Sequence, residues 1–253
     1  MSTNLLDSLH TPTDLRELPA SALPEVAAAL REEIVTLVAR SGGHLASSLG
    51  AIELLVALHY VFDTPRDRLV LDVGHQGYAH KLLTGRREGF ARIGKEGGPA
   101  KFLRRSESPF DAFGAGHAGT SISAALGMAR GLQAQGGNAC AIALIGDGGL
   151  TAGMALEALN HAGHLKQPNL LVVLNDNEMS IEPNVGAMGA FLSRKLSAPS
   201  ARRLRRLAKD VLAPLPQPLR QLARRAEQSA KALLTPGTLF EAFGFRYIGP
   251  VDG

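Results

Sequence analysis

Hydrophobic residues along the chain form short continuous runs and longer periodic stretches, and these two patterns predict different elements. Almost wholly apolar runs, typical of parallel strands covered on both faces, occur at 69–73, 139–145 and 170–174. Apolar residues repeat at helical spacing at 20–39, 52–61, 121–133 and 150–164. Because strands alternate with helices, the pattern predicts an α/β fold in which helices flank a parallel sheet.

Two segments depart from these patterns. Residues 86–109 are charged and rich in glycine, which predicts an excursion over the surface. Between Arg194 and Lys231 there are eleven Lys and Arg against two acidic residues. Leucine and alanine repeat there at helical spacing on both sides of three prolines. We therefore predict a basic helical insert at 194–234, made of two amphipathic helices, followed by a last strand at 246–248.

Composition and charge are those of a globular protein. With 253 residues, 45% of them hydrophobic and 20% charged, the chain can bury a sizeable core as one α/β domain. The net charge of +4 comes from the basic insert, which lacks the interleaved aromatic residues that stack on bases, so no nucleic acid is expected. We expect no membrane association and a cytoplasmic location, because no apolar run approaches about 20 residues and no secretory signal is evident. The single cysteine, Cys140, is predicted to be a packed, inert thiol.

Polar side chains follow two of the predicted strands. Asp147 lies between two glycines after the strand at 139–145, and Asn177 follows the strand at 170–174. The carboxyl ends of parallel strands meet at one edge of a sheet, where ligands bind. Magnesium prefers oxygen ligands and takes few protein carboxylates when a phosphate supplies the others. The sequence therefore predicts a magnesium-diphosphate site with Asp147 and Asn177 as ligands. Asp176 is expected to point away from Asn177, since strand residues alternate sides.

Three histidines each follow a glycine in a turn rich in glycine or serine: His44, His75 and His117. Glycine lets a loop bring an imidazole close to a ligand, and imidazole titrates near neutral pH. Each of them alone could be a solvated loop residue, but the three together indicate a functional site. His59 and His161 lack this context and are predicted to be helix residues, while His80 receives no role.

The spacing of Asp147 and Asn177 resembles the thiamine diphosphate motif of transketolase-like enzymes. Four stretches sharpen the resemblance to the 1-deoxy-D-xylulose-5-phosphate synthase family: Ser41–Gly50, Asp72–Arg86, Gly116–Ser121 and Asn175–Gly186. The similarity extends from about Leu15 to Gly253. It implies a thiamine-diphosphate-binding α/β fold, with thiamine diphosphate and Mg²⁺ as cofactors. It also implies the decarboxylative condensation of pyruvate with glyceraldehyde 3-phosphate, whose product feeds isoprenoid, thiamine and pyridoxal synthesis.

The resemblance also implies roles for individual residues. Asp147 and Asn177 would bind Mg²⁺ together with the backbone carbonyl of Met179. His44 and His75 would be the catalytic histidines, with His44 near the reacting carbons and His75 in contact with the cofactor. The expected cofactor contacts are His75, Gly116, His117, Ala118, Gly148, Gly149 and Asn177. Ala118 and Gly149 replace residues usual in the family, which matters little if those contacts are made by the backbone.

Enzymes of this family are longer, so the expectation is that residues 1–253 form the diphosphate- and magnesium-binding domain alone. The pyrimidine-binding and carboxyl-terminal domains would then be absent, and the chain alone would be inactive, although the full-length protein would be a homodimer. Two alternatives stay open. One is the amino-terminal subunit of a split transketolase, and the other is a non-catalytic thiamine-diphosphate-binding or basic interaction module.

Overall fold

The computed structural model describes residues 5–176 and 237–251. Within this part of the chain, a first compact unit comprises 5–158 and 167–176, and a second comprises 159–166 and 237–251. Three parallel strands lie side by side in the first unit in chain order: β1 Arg68–Leu71, β2 Ala141–Gly146 and β3 Leu170–Asn175. The parallel sheet predicted from the apolar runs is confirmed.

Helices precede, connect and follow the strands. They are α1 Pro12–Glu17, α2 Leu23–Ser41, α3 Leu45–Leu49, α4 Ile52–Val61, α5 Tyr78–Leu83, α6 Ser121–Ala134, α7 Asp147–Leu150, α8 Gly153–Leu165 and α9 Gly237–Ala242. Short 3₁₀ turns occur at Leu5–Ser8, Ala20–Ala22 and Phe90–Arg92. The start of α1 is capped, since Asp14 accepts a hydrogen bond from the Thr11 N–H at 2.8 Å. The predicted helix at 52–61 has the observed bounds of α4, and both His59 and His161 lie in helices.

The core of the first unit lies between the sheet and the amino-terminal helices. One face of α2 is buried through Val26, Leu30 and Ile34, spaced as an amphipathic helix requires. They belong to the same apolar cluster as Ile52 of α4 and Leu144 of β2. No helix in 5–176 or 237–251 has the length and hydropathy needed to span a bilayer.

The segment 86–109 differs from the predicted surface excursion. Phe90 is fully buried, and Ile93 and Leu103 are each 2% exposed. The charged residues that suggested a surface location include Arg86 and Glu107, which pair with each other at 2.9 Å. Paired charges can lie against a core, so a charged composition alone did not indicate exposure.

The helix expected at 150–164 is two helices in the structure. Asp147 begins the short helix α7, and α8 begins at Gly153, so Thr151 lies between the two helices. The Thr151 hydroxyl instead donates to the Gly148 carbonyl at 2.7 Å and closes α7. Cys140 lies immediately before β2 and is half-buried, and burial, followed by the Asp67 carboxylate, raises the pKa of its thiol. A raised thiol pKa agrees with the predicted inert cysteine.

The second unit joins the end of α8 to α9 and the segment after it. A Cβ atom at Gly163 would lie 1.6 Å from the Phe243 carbonyl oxygen, so only glycine allows the two backbones to meet. Phe240 and Tyr247 stack with their ring centroids 5.7 Å apart. The strand predicted at 246–248 is absent, since these residues pair with no strand in the described part of the chain. The predicted basic insert at 194–234 lies outside the described residues.

Candidate functional site

A tight turn follows β1 and carries His75. Val73 has a φ of 57° and Gly74 a φ of 89°, and the Gly74 N–H donates to the Asp72 carbonyl at 2.5 Å. A positive φ at a β-branched residue is a strained backbone conformation, and such strain is concentrated at functional sites. Glycine is required at 74, because a Cβ there would lie 2.6 Å from the Cβ of Ala115. The turn therefore lies directly against the loop that leads to Gly116.

His44 and His75 form a pair in the structure. Their ring centroids are 4.1 Å apart with a tilt of 52°. The Ser48 hydroxyl donates to the His75 carbonyl at 2.8 Å and ties α3 to the His75 turn. The ring of Phe102 lies 5.4 Å from that of His75 on another side. Burial, and secondly the nearby His44, lower the pKa of His75, so its imidazole is neutral at neutral pH.

The loop at 116–121 lies next to the His75 turn. Gly116, His117 and Ala118 are exposed, whereas Gly119 is buried and donates its N–H to Asp72 Oδ1 at 2.8 Å. The Ser121 N–H donates to Asp72 Oδ2 at 3.0 Å. The first N–H of α6 is thus bonded within the protein. The Ser121 N–H is therefore not available to a cofactor.

The turn after β2 packs against the same loop. Asp147 and the two glycines after it form α7, directly beyond the strand end. A Cβ at Gly149 would lie 2.7 Å from Asp72 Oδ1, and a Cβ at Gly119 would lie 2.5 Å from the Cβ of Ala152. The segments that carry Gly148 and Gly149 on one side and Gly116 to Ala118 on the other are therefore in contact.

The end of β3 completes this edge of the sheet. Asn175 is in register with Gly146 of β2, and its side-chain amide donates to the Gly50 carbonyl at 3.1 Å. Asn177 and Met179 lie outside the described residues, so the magnesium ligand pair stays a prediction. Within 5–176 and 237–251, no group of three or more His, Cys, Asp or Glu residues could hold a metal. The expected ligand set contains one carboxylate, one amide and a carbonyl, and is not a group of that kind.

Five chain segments thus meet at the carboxyl ends of the strands, and they carry all the described residues that the sequence singled out for the site. Several contributors were given no role of their own by the sequence: Asp72, Ser48, Phe102 and Asn175. Asp72 and Asn175 directly follow or end apolar strands and could have been found by that position. Ser48 and Phe102 carry no local signal, because their roles come from contacts with a distant histidine.

The family model described as 1-deoxy-D-xylulose-5-phosphate synthase matches residues 6–253. The chain belongs to this synthase family. It is 58% identical over all 253 residues to the 1-deoxy-D-xylulose-5-phosphate synthase of Thiobacillus denitrificans, covering 41% of that protein. It is 53% identical over 253 residues to the synthase of Bordetella pertussis, again covering 41%. The chain therefore spans about two fifths of the length of these curated relatives.

Solved transketolase structures share the fold. A transketolase mutant from Pichia stipitis superposes with a TM-score of 0.60 at 23% identity, over 68% of this chain and 30% of that one. A second transketolase structure from the same organism gives a TM-score of 0.56 at 24% identity, over 64% and 28%. At this level of identity the likeness concerns the fold alone. It agrees with the synthase family's expected thiamine-diphosphate-binding α/β architecture.

Beside the site, this member of the synthase family buries a chain of polar side chains that the sequence did not reveal. His59 Nδ1 lies 2.9 Å from the Thr64 hydroxyl, and His59 Nε2 lies 2.9 Å from His80 Nδ1. His80 Nε2 lies 3.0 Å from Asp111 Oδ1, and both of these side chains are fully buried. Asp111 also accepts from the Arg86 guanidinium and from the Arg104 N–H, each at 2.8 Å.

The direction of these hydrogen bonds follows from the charge of Asp111. Burial opposes its ionisation, but hydrogen bonds from His80 and Arg86 prevail and hold the pKa of Asp111 well below its usual range. An ionised carboxylate only accepts, so His80 donates from Nε2 and must accept at Nδ1 from the Nε2–H of His59. His59 Nδ1 then accepts from Thr64. Both histidines are neutral, because burial lowers the pKa of each.

Proposed function

We propose that the complete gene product is a 1-deoxy-D-xylulose-5-phosphate synthase. In this proposal it condenses pyruvate with glyceraldehyde 3-phosphate, with loss of carbon dioxide, and feeds isoprenoid and thiamine synthesis. Residues 1–253 would be its diphosphate- and magnesium-binding domain. We further propose a homodimer in the cytoplasm, acting on small molecules without nucleic acid or membrane partners. The observation that carries the proposal is the family match over residues 6–253, at 53–58% identity to named synthases over the whole chain.

The residues at the carboxyl edge of the sheet fit thiamine diphosphate and Mg²⁺. Asp147 offers hard carboxylate oxygen at a strand end, and Asn177 would add an amide oxygen without a second negative charge. Nothing lies within 4 Å of the position where Gly116 would carry a Cβ, so its backbone is open to an approaching ligand. Gly148 and Gly149 directly follow the metal carboxylate and, with His117 and Ala118, would contact the diphosphate and thiazolium parts.

Bound thiamine diphosphate would supply the electron sink for the loss of carbon dioxide from pyruvate. The protein's own contribution would come from the histidine pair. Because its pKa is lowered, a neutral His75 can donate or accept one hydrogen bond at a substrate oxygen without adding charge. His44, 4.1 Å away and more exposed, would pass a proton between that oxygen and solvent.

Isothermal calorimetry with thiamine diphosphate, in the presence and absence of Mg²⁺, tests the cofactor site. We expect magnesium-dependent binding that Asp147→Ala weakens by at least about tenfold, since a metal ligand is lost. Glu157→Ala, which removes an exposed acid in α8, is the matched control and should bind as the parent does. A non-catalytic scaffold would show no magnesium-dependent binding to lose.

Product analysis of the complete gene product tests the reaction. Pyruvate and glyceraldehyde 3-phosphate should give 1-deoxy-D-xylulose 5-phosphate and one equivalent of carbon dioxide. The likeness of the fold to transketolase structures favours one alternative, namely that the chain is a subunit of a split transketolase. That alternative predicts transfer of ketol units between sugar phosphates without carbon dioxide release, and such a result would exclude the synthase assignment.

A further inference from the structure

Asp72 is a buried carboxylate at the centre of the candidate site, and neither the metal nor the histidine pair accounts for it. It follows β1, is 1% exposed, and donates its own N–H to the Leu144 carbonyl of β2 at 2.8 Å. Its two carboxylate oxygens accept from two different backbone N–H groups, those of Gly119 and Ser121, at 2.8 and 3.0 Å. A buried carboxylate needs such donors to remain charged.

The carboxylate also touches the turn after β2. Gly149 approaches so closely that an added Cβ would lie 2.7 Å from Asp72 Oδ1. Gly119, which is bonded to that same oxygen, has a φ of 78° and packs on Ala152 just beyond α7. One side chain therefore joins the turn that leads to His75, the loop that precedes α6 and the turn that contains α7.

These three segments are the ones that carry the expected cofactor contacts. The His75 turn and the loop at 116–118 also meet at Gly74 and Ala115, and that loop meets the α7 turn at Gly119 and Ala152. The charge of Asp72 lies at the start of α6, where the helix dipole favours it. The Asp72 carboxylate thus occupies this helix start and accepts the Ser121 N–H.

We propose that Asp72 is a positioning residue that holds the His75 turn, the 116–118 loop and the α7 turn in the arrangement that binds the cofactor. This inference rests on the proposed function, because the ligand it serves is thiamine diphosphate with Mg²⁺. Asp72 acts through backbone amides and does not touch the reacting atoms. Asp72→Asn preserves the size of the side chain but turns an NH₂ group toward one of the two N–H donors, so one hydrogen bond is lost.

Asp67→Asn is a control at the other end of the same strand, β1. Asp67 precedes β1 and also bridges two backbone N–H groups, those of Cys140 at 2.7 Å and Asp63 at 2.8 Å. It lies at the opposite end of the strand from the candidate site. Both substitutions remove one charge and disturb one of two hydrogen bonds from backbone N–H groups, but Asp67 is only partly buried whereas Asp72 is 1% exposed. Asp67→Asn therefore reports the effect of losing such a bond away from the candidate site.

The experiment measures two quantities in the complete gene product: amide hydrogen exchange, and calorimetric binding of thiamine diphosphate with Mg²⁺. For Asp72→Asn we expect exchange at Gly119 and Ser121 to accelerate by about tenfold or more, and Kd to rise by about 10- to 100-fold. Asp67→Asn should leave both quantities unchanged. Gly119→Ala leaves the Asp72 side chain in place but adds a methyl group that displaces the loop from Ala152, so it should also raise Kd. This variant replaces Asp72→Asn in the experiment if Asp72→Asn does not fold.

Unchanged exchange and unchanged Kd in Asp72→Asn would overturn the inference, as would an equal loss of affinity in Asp72→Asn and Asp67→Asn. Absence of binding by the parent protein would instead refute the proposed function. The exchange measurement then still decides whether Asp72 holds the loop, because it needs no ligand. The two failures are therefore distinguishable.

Discussion

Asparagine in place of Asp111 removes one negative charge from the buried polar chain and leaves the shape of the side chain nearly unchanged. Asp111 accepts from three donors, on His80, Arg86 and the Arg104 backbone, at 2.8 to 3.0 Å. The retained oxygen of the asparagine can accept from Arg86 and Arg104. Its NH₂ group must then face His80 Nε2, which in the parent protein carries a hydrogen.

The chain of histidines can resolve that conflict by reversing direction. The asparagine NH₂ donates to His80 Nε2, His80 donates from Nδ1 to His59 Nε2, and His59 donates from Nδ1 to the Thr64 oxygen. Every contact survives in the variant, but each of the hydrogen bonds at position 111 loses the contribution of the carboxylate charge, worth about 1 kcal/mol. With three such bonds, we expect the free energy of unfolding to fall by about 2–3 kcal/mol. Asp111→Ala, which leaves a buried guanidinium short of a partner, should cost about 3–5 kcal/mol.

Two measurements check this prediction. Urea denaturation followed by circular dichroism gives the change in stability, and ¹⁵N NMR of the imidazoles gives the tautomer of each histidine. Asp7→Asn is the control, because Asp7 forms an exposed ion pair with Arg87 at 2.6 Å and should contribute at most about 1 kcal/mol. Histidines that keep Nε2–H in Asp111→Asn, or a stability loss no larger than that of Asp7→Asn, would refute the reasoning.

Two further predictions concern pH and packing. His59 and His80 have folded-state pKa values below the ordinary value, so the unfolded chain binds more protons. The free energy of unfolding should therefore fall as pH drops below about 6.5, by up to about 1.4 kcal/mol per pH unit for each histidine, and level off below the folded pKa values. Urea titrations between pH 5 and 8 measure the slope, which His80→Gln should reduce. Gly163→Ala should destabilise the second unit by about 1–3 kcal/mol or more, since the new methyl group meets a backbone carbonyl at 1.6 Å. Gly127→Ala, in a helix with open space around the position, should be neutral or stabilising by up to about 1 kcal/mol, and equal midpoints for the two variants would contradict the contact.

The local elements follow from the order of residues along the chain. α4 was predictable because a helix imposes a repeat of 3.6 residues on burial, and the three strands were predictable because parallel strands covered on both faces are continuously apolar. Asp147 and the His75 turn could be placed at one edge for a related reason. In a parallel sheet, every turn that follows a strand emerges at the same side, whatever the distant contacts are.

Other features depended on contacts between residues far apart in the chain. The segment 86–109 looked like a surface excursion, because composition records the charges of Arg86 and Glu107 but not that they pair. His80 had no assignable role until its ring lay between His59, 21 residues earlier, and Asp111, 31 residues later. Burial and hydrogen bonding set the pKa and the tautomer of such groups, and both depend on the three-dimensional neighbours.

The order of residues alone determined the sheet, the main helices and the family motifs, because each of them depends on residues that are close together in the sequence. Only the tertiary structure decided that Asp72 bridges three loops and that His44 lies beside His75. Those contacts join groups whose separation along the chain carries no periodic signal. A buried carboxylate is stable only where donors surround it, and which donors do so is a property of the folded protein.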